Sequence, residues 1–210
     1  AGTAFAQNND ASVNQIGDNN TATLGQVGSD NVASVKRQEG NGNTATIDQI
    51  GTGQNVRQWV VGDRNRVTQI QDFGSNNNQT IEIAGDDNVF SATQRGTKNR
   101  LYVNARGGGA GAPPLGISSG KSFGSRFTGL QNGSENEISG AMGGVNNRLT
   151  IEQRGHGNLV TNDAGVFDAK GFLQKGDGNR ATIMQSGDAN NHVLSQVGNG
   201  NRVNVTQSDN

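Results

Sequence analysis

Residues 9–20 read Asn9-Asp-Ala11-Ser-Val13-Asn-Gln15-Ile-Gly17-Asp-Asn-Asn20, and at Asn20 the same pattern starts again. With Asn as position 0, apolar or small residues fall at +2 and +4, Gln at +6 and Gly at +8. Asn147-Arg-Leu149-Thr-Ile151-Glu-Gln153-Arg-Gly155 is a clear copy. Alternation of period two is the pattern of a β-strand, in which successive side chains point to opposite faces. Leu149, Ile151 and Gln153 therefore face inward, and Arg148, Thr150, Glu152 and Arg154 face water. Gly at +8, seen as Gly17, Gly28, Gly51, Gly85, Gly96, Gly155, Gly187 and Gly198, supplies the positive φ of a tight reversal.

Seventeen units follow one another, mostly eleven residues apart. They begin at Asn9, Asn20, Asn31, Asn43, Asn55, Asn65, Asn77, Asn88, Asn99, Ser125, Asn136, Asn147, Asn158, Asp168, Asn179, Asn190 and Asn201. In mid-chain, every second unit replaces the +6 Gln by Val61, Ile83, Ala105, Met142 or Ala164. The units between keep it as Gln71, Gln94, Gln131, Gln153 and Gln174. A single meandering sheet gives no reason for alternate strands to differ. Strands folded over as arches do, because odd and even units then enter two separate sheets. The spacing predicts an all-β solenoid of stacked β-arches with two facing, parallel, in-register sheets. Each rung should take about 22 residues, and about eight rungs should rise by roughly 4.8 Å each.

In such a stack, identical amides at identical positions satisfy one another, so buried Asn and Gln are tolerated. The expected ladder residues are Asn20, Gln26, Asn43, Gln49, Gln71, Gln94, Gln131, Asn147, Gln153, Gln174, Asn179, Gln185 and Gln196. A thin core needs only about two apolar residues per strand. That suits a chain of 210 residues with 33 Gly, 29 Asn, 17 Gln and about one fifth Leu, Ile, Val and Phe. The formal net charge of -1 and the single Trp and Tyr offer neither the basic surface nor the stacking platforms of a nucleic-acid binder. No apolar run reaches the roughly 18 residues of a membrane span, so no membrane insertion is expected. The absence of Cys excludes disulfide staples and thiolate metal sites. If the protein is secreted, the chain beginning Ala1-Gly2-Thr3 is expected to be its mature form.

The organisation expected is an N-terminal segment (1–8), repeats (9–106), an inserted loop rich in Gly, Pro and Ser (107–124), and repeats continuing the same solenoid (125–210). Both prolines lie in the insert and none in a strand, as ladder hydrogen bonding requires. The rival reading of the insert is a flexible two-domain linker. A shorter irregularity runs from Asp163 to Phe167. Phe123, Phe127, Phe167 and Phe172 stand near the interruptions, available to cover a local defect.

No catalytic constellation, phosphate loop or cofactor motif stands out in a chain this rich in Gly, so an enzyme and a cofactor are not expected. His156, in a turn, and His192, at an inward +2, are too isolated to form a metal site. Turn carboxylates such as Asp18, Asp63, Asp86, Asp87, Asp177 and Asp188 are read as Asx-turn formers, with calcium between stacked turns as the rival reading. Arg66, Arg100, Arg148, Arg180 and Arg202 recur at +1. They are read as charges that hinder premature pairing, in preference to a stripe for an anionic polymer.

The units Asn20-Thr-Ala22 to Gln26-Val-Gly28 and Asn43-Thr-Ala45 to Gln49-Ile-Gly51 resemble the curlin repeat. The resemblance covers nearly the whole chain outside the insert and the first eight residues. It implies a structural subunit of a secreted bacterial functional amyloid, a curli-like fibre on the surface of a Gram-negative cell that builds biofilm matrix and adhesion. It also implies the chain itself as main partner, with a nucleator subunit and an outer-membrane secretion channel as further partners. The Pro-Pro insert and the alternation of Gln depart from the family pattern.

The competing reading is a monomeric β-solenoid that presents a flat face to ice or polysaccharide. Ice binding favours regular outward Thr rows, and the outward residues look mixed. Monomeric solenoids also end in caps. Here Ala11, Val13 and Gln15 are in phase near one end, as are Val203, Val205 and Gln207 near the other. These are the expected polymerisation edges.

Overall fold

The computed structural model describes residues 8–105, 122–160 and 172–209. The described residues hold nineteen strands and no helix. In the first half these are β1 (Asp10–Ile16), β2 (Thr21–Ser29), β3 (Val32–Glu39), β4 (Thr44–Thr52), β5 (Asn55–Val61), β6 (Arg66–Ser75), β7 (Asn78–Ala84), β8 (Val89–Thr97) and β9 (Arg100–Ala105). The second half contains β10 (Ser122–Phe123), β11 (Arg126–Ser134), β12 (Glu137–Val145), β13 (Arg148–His156), β14 (Leu159–Val160), β15 (Phe172–Lys175), β16 (Arg180–Ser186), β17 (Asn191–His192), β18 (Leu194–Val197) and β19 (Arg202–Ser208).

Alternate strands enter alternate sheets, and every pairing is parallel. One sheet runs β2-β4-β6-β8-β11-β13-β16-β19. The other runs β1-β3-β5-β7-β9-β12-β14-β17, with β10, β15 and β18 alongside. We call the first the glutamine sheet and the second the mixed sheet. Equivalent positions stack, as Ala22 on Ala45 and Gln26 on Gln49. The fold is thus the expected two-sheet β-solenoid, with about seven turns of about 23 residues.

The rung is longer than 22 residues in places because single extra residues bulge outward. One bulge lies at Lys36-Arg37, where the pairing of Val13 with Val35 jumps to Gln15 with Gln38. Another lies at Asp72-Phe73, between the pairs Gln49 with Gln71 and Gly51 with Gly74. Phe73 takes a φ of 48° and stands 74% exposed. One unit fewer exists than the sequence suggested. β15, counted as part of a separate unit from Asp168, pairs with the second half of β12, whereas β14 pairs with its first half. The two short strands belong to one half-turn. Gln54, not Asn55, stands at position 0 of its unit and receives the Asn31 side chain on its own N–H.

The half-turn broken after Ala105 closes with β10. Ser122 and Phe123, assigned to the insert from sequence, pair with Gly144 and Val145. The prolines, the Asp163–Phe167 irregularity, Ala164 and Asp168 lie outside the described residues. Both sheets run on past 106–121, β8 onto β11 and β9 onto β12.

Inward +2 and +4 residues form two apolar clusters. The smaller holds Ala33, Val35, Ala45, Ile47 and Val56. The larger runs from Val60 and Val67 to Ile183 and Leu194. Between them lie Gln58, Gln69 and Gln79, all buried. In the larger cluster Phe90, Phe127 and Phe172 stack with ring centroids 5.9 and 5.8 Å apart. Phe127 and Phe172 therefore fill the core. Gly140 admits this packing, since a Cβ there would lie 2.6 Å from the Phe172 ring.

Candidate functional site

The chemistry of this chain lies in repetition, so its candidate site is a set of ladders and the two ends where they stop. In the glutamine sheet, Gln26 Nε2 donates to Gln49 Oε1 at 2.9 Å, Gln49 to Gln71 at 3.0 Å and Gln71 to Gln94 at 3.0 Å. Gln94 donates to Gln131 at 2.8 Å, Gln131 to Gln153 at 2.9 Å, Gln153 to Gln185 at 2.9 Å and Gln185 to Gln207 at 2.9 Å. The second amide hydrogen reaches across the arch, as from Gln153 to the carbonyls of Glu137 and Asn158. Each interior amide of this ladder is therefore satisfied in two directions, which removes the desolvation penalty of leaving it alone.

The mixed sheet behaves otherwise. Its +6 row reads Gln15, Gln38, Val60, Ile83, Ala105, Met142, Gln174 and Gln196. Val60, rather than Val61, takes the inward place. Gln174, expected among the alternating glutamines, instead belongs to this sheet and donates to Gln196 at 2.7 Å. Glutamine thus marks both ends of the mixed sheet, with an apolar stretch between.

The asparagines use their carbonyls differently from the glutamines. Asn20 Oδ1 accepts from the Asn43 backbone N–H at 3.0 Å, and Asn147 Oδ1 accepts from the Asn179 backbone N–H at 2.9 Å. Their Nδ2 groups reach the carbonyl of the turn glycine, as Asn179 to Gly198 at 2.7 Å. A second column at the opposite corner, Asn9, Asn31, Gln54, Asn77, Asn99, Asn136, Asn158 and Asn190, carries the same bonds; the sequence marks all but Gln54 as unit starts without naming them among the ladder residues. Gly51 and Gly155 hold φ of 139° and 110°. Each also lies so close to the glycine carbonyl of the next rung that a Cβ would clash, so both conformation and space require Gly.

The turn carboxylates accept backbone N–H groups of the preceding rung. Asp63 Oδ1 accepts from Asn41 at 2.7 Å, Asp86 from Asp63 at 2.8 Å, Asp177 from Val145 at 2.8 Å and Asp188 from His156 at 2.9 Å. They bond between rungs, not within a local Asx turn. Arg64 Nε donates to Asp87 Oδ1 at 2.7 Å and holds that carboxyl below its ordinary pKa. Among the described residues no group of three or more His, Asp or Glu side chains is placed to hold a metal ion. His156 Nδ1 meets Ser134 Oγ at 2.8 Å in an exposed turn.

Among the described residues, β1 and β19 each have one edge that no further strand covers. Every residue of β1 is exposed, including Ala11, Val13 and Gln15. At the other end Val203, Val205 and Gln207 of β19 are half-buried against β16. These two edges belong to different sheets, so they cannot pair with each other in continuation of either one. The sequence count missed this because the extra unit at Asp168 shifted the parity. The strand equivalent to β19 at the N-terminal end is β2, with Ala22, Leu24 and Gln26. The partner position of β1 falls to β18, with Leu194 and Gln196. Along each strand the +1 N–H points to the following rung, as from Arg180 to the Asn201 carbonyl at 2.8 Å. Alternation then turns the N–H groups of Arg202, Asn204 and Thr206 to the free edge and those of Val203 and Val205 inward.

Sorting the outward residues by sheet reveals rows that looked mixed in sequence. In the glutamine sheet, +3 reads Thr23, Thr46, Thr68, Ser91, Thr128, Thr150, Thr182 and Asn204. Arg126, Arg148, Arg180 and Arg202 stack at +1 of the same sheet, whereas Arg100 lies in the other.

A parallel two-sheet β-solenoid laddered by amides defines a class of repeat protein in which each rung rests on the next. The curlin associated repeat is matched at residues 6–36 and 176–208, which relates the chain to the curlin family. The repeats and the fold together fit a curli-type subunit. No curated protein matches the chain.

Proposed function

We propose that the chain is the structural subunit of a secreted, curli-like amyloid fibre. Subunits add head to tail, with β19 of one molecule docking on β2 of the next and β18 on β1. The supporting observation is the polarity of the glutamine ladder. Every link donates towards the C-terminal rung, so Gln26 ends the column with an Oε1 that receives no donor, and Gln207 ends it with an amide whose second hydrogen is free. Among the described residues one end is thus the complement of the other, and such a contact never closes on itself. The repeat matches fall on the terminal rungs, which accords with ends that resemble each other.

The family's role as a structural, extracellular amyloid supports placing this protein outside a Gram-negative cell, in biofilm matrix and adhesion, and supports a non-enzymatic role. A nucleator and an outer-membrane secretion channel are the partners this reading expects. The row of Thr and Ser at +3 favours the second reading, a monomeric solenoid presenting a face to ice or polysaccharide. Charged Arg beside that row and the uncovered edges of β1 and β19 among the described residues count against it. Electron microscopy of the purified chain after incubation decides between them: fibres support the first reading, and persistent monomers sink it.

A further inference from the structure

Arg126, Arg148, Arg180 and Arg202 stand on four consecutive strands of the glutamine sheet, paired residue for residue. All four are exposed. None has an ion-pair partner among the described residues. Like charges directly opposite one another weaken a ladder. The fold does not demand Arg here, because the same row holds Thr21, Thr44 and Val89 on other strands. Beside the stripe run Thr128, Thr150, Thr182 and Asn204. A groove of about 190 Å³ is lined by Arg148, Arg180 and Arg202 on one side and Thr150, Thr182 and Asn204 on the other. The acid on the outward rows of these four strands, Glu152, is engaged by Arg154 at 2.5 Å.

We propose that this stripe binds a linear polysaccharide with one carboxylate per sugar, a polyuronate, laid along the stacking axis. The guanidinium fork matches a carboxylate in two-point geometry, which Lys does not. The row presents one charge per rung, about every 4.8 Å, and so suits a polymer charged once per sugar. Duplex DNA, with a charge about every 1.7 Å, is far denser. Single-stranded nucleic acid is held by aromatic stacking platforms, and the outward rows of β11, β13, β16 and β19 contain no Phe, Tyr or Trp. The hydroxyl row beside the stripe offers donors and acceptors to the sugar hydroxyls. A row serving only to hinder premature pairing needs no ligand.

The test is a binding isotherm of polygalacturonate on the assembled chain, with neutral dextran and single-stranded DNA as comparison polymers. Assembly of each variant is scored separately by sedimentation. The stripe lies within one molecule, so the same isotherm is run on the soluble chain if no fibres form. Arg148→Gln with Arg180→Gln should weaken binding by roughly tenfold and flatten its salt dependence. Arg57→Gln with Arg100→Gln removes equal charge from the mixed sheet and should change binding by no more than about twofold. Equal losses in the two pairs, no saturable binding by the wild type, or DNA bound as tightly as polygalacturonate would each overturn the proposal.

Discussion

Gln94 donates to Gln131 at 2.8 Å although the two stand 37 residues apart, farther than any other neighbours in their ladder. The stack is thus continuous over the segment 106–121. In the neighbouring rung one residue, Ala84, joins Ile83 to Gly85, the equivalents of Ala105 and Ser122. Replacing 106–121 by a single residue is therefore expected to leave fibre yield and the cross-β spacings of about 4.8 and 10 Å intact. Loss of fibres in that variant, seen by electron microscopy and diffraction, would show that the segment is structural.

Ladder and outward positions should respond unequally. Gln153→Leu takes one donor from the carbonyls of Glu137 and Asn158 and breaks two ladder links, at a cost of about 1–3 kcal/mol. Glu152→Gln loses only a half-exposed ion pair and should stay within about 0.5 kcal/mol. Denaturant dissociation of matched fibres measures both, and equal losses would reverse the inside and outside assignment.

Gln69 predicts the opposite sign for the same kind of change. It is fully buried between the two apolar clusters, and neither amide atom has a hydrogen-bond partner. Gln69→Leu removes that penalty and is expected to stabilise the protein by about 1–2 kcal/mol. Destabilisation in the same unfolding measurement would mean that the amide is satisfied in solution.

His192 faces inward on the last rung of the mixed sheet, and burial lowers its pKa below the ordinary 6.5. Because the folded value lies below the unfolded one, the stability it contributes is complete above the unfolded pKa and is lost as pH falls through the folded one. Protection factors at Leu194–Val197, taken relative to the intrinsic exchange rate at each pH, should fall as the pH is lowered through the His192 titration, and His192→Leu should flatten that response. An unchanged pH profile in the variant would assign the effect to other groups.

Strand periodicity, the two sheets, and Gln26 to Gln153 as a ladder are legible in sequence because position +6 repeats with little variation. Parity was not. Asp168 imitates position 0, and only the pairing of Phe172 with Gly140 shows that β15 completes a half-turn already begun. The outward Thr row stayed hidden because odd and even units were compared together, whereas each sheet reads only its own. Gln58, Gln69 and Gln79 break the apolar rule at +2 and +4, and nothing local in the sequence sets them apart from ladder glutamines.

The central claim is that β19 of one molecule meets β2 of the next. The chain has no Cys, so an engineered pair reports on that contact alone. Thr23 and Asn204 occupy equivalent outward positions, and cysteines there would sit on adjacent parallel strands, within the roughly 4.4–6.8 Å Cα separation a disulfide spans. Oxidised fibres of Thr23→Cys with Asn204→Cys are expected to give a series of covalent multimers on a non-reducing gel. Ser12→Cys with Asn204→Cys, which joins strands of different sheets, should give monomers. Multimers from the second pair, or monomers from fibres of the first, would contradict the account.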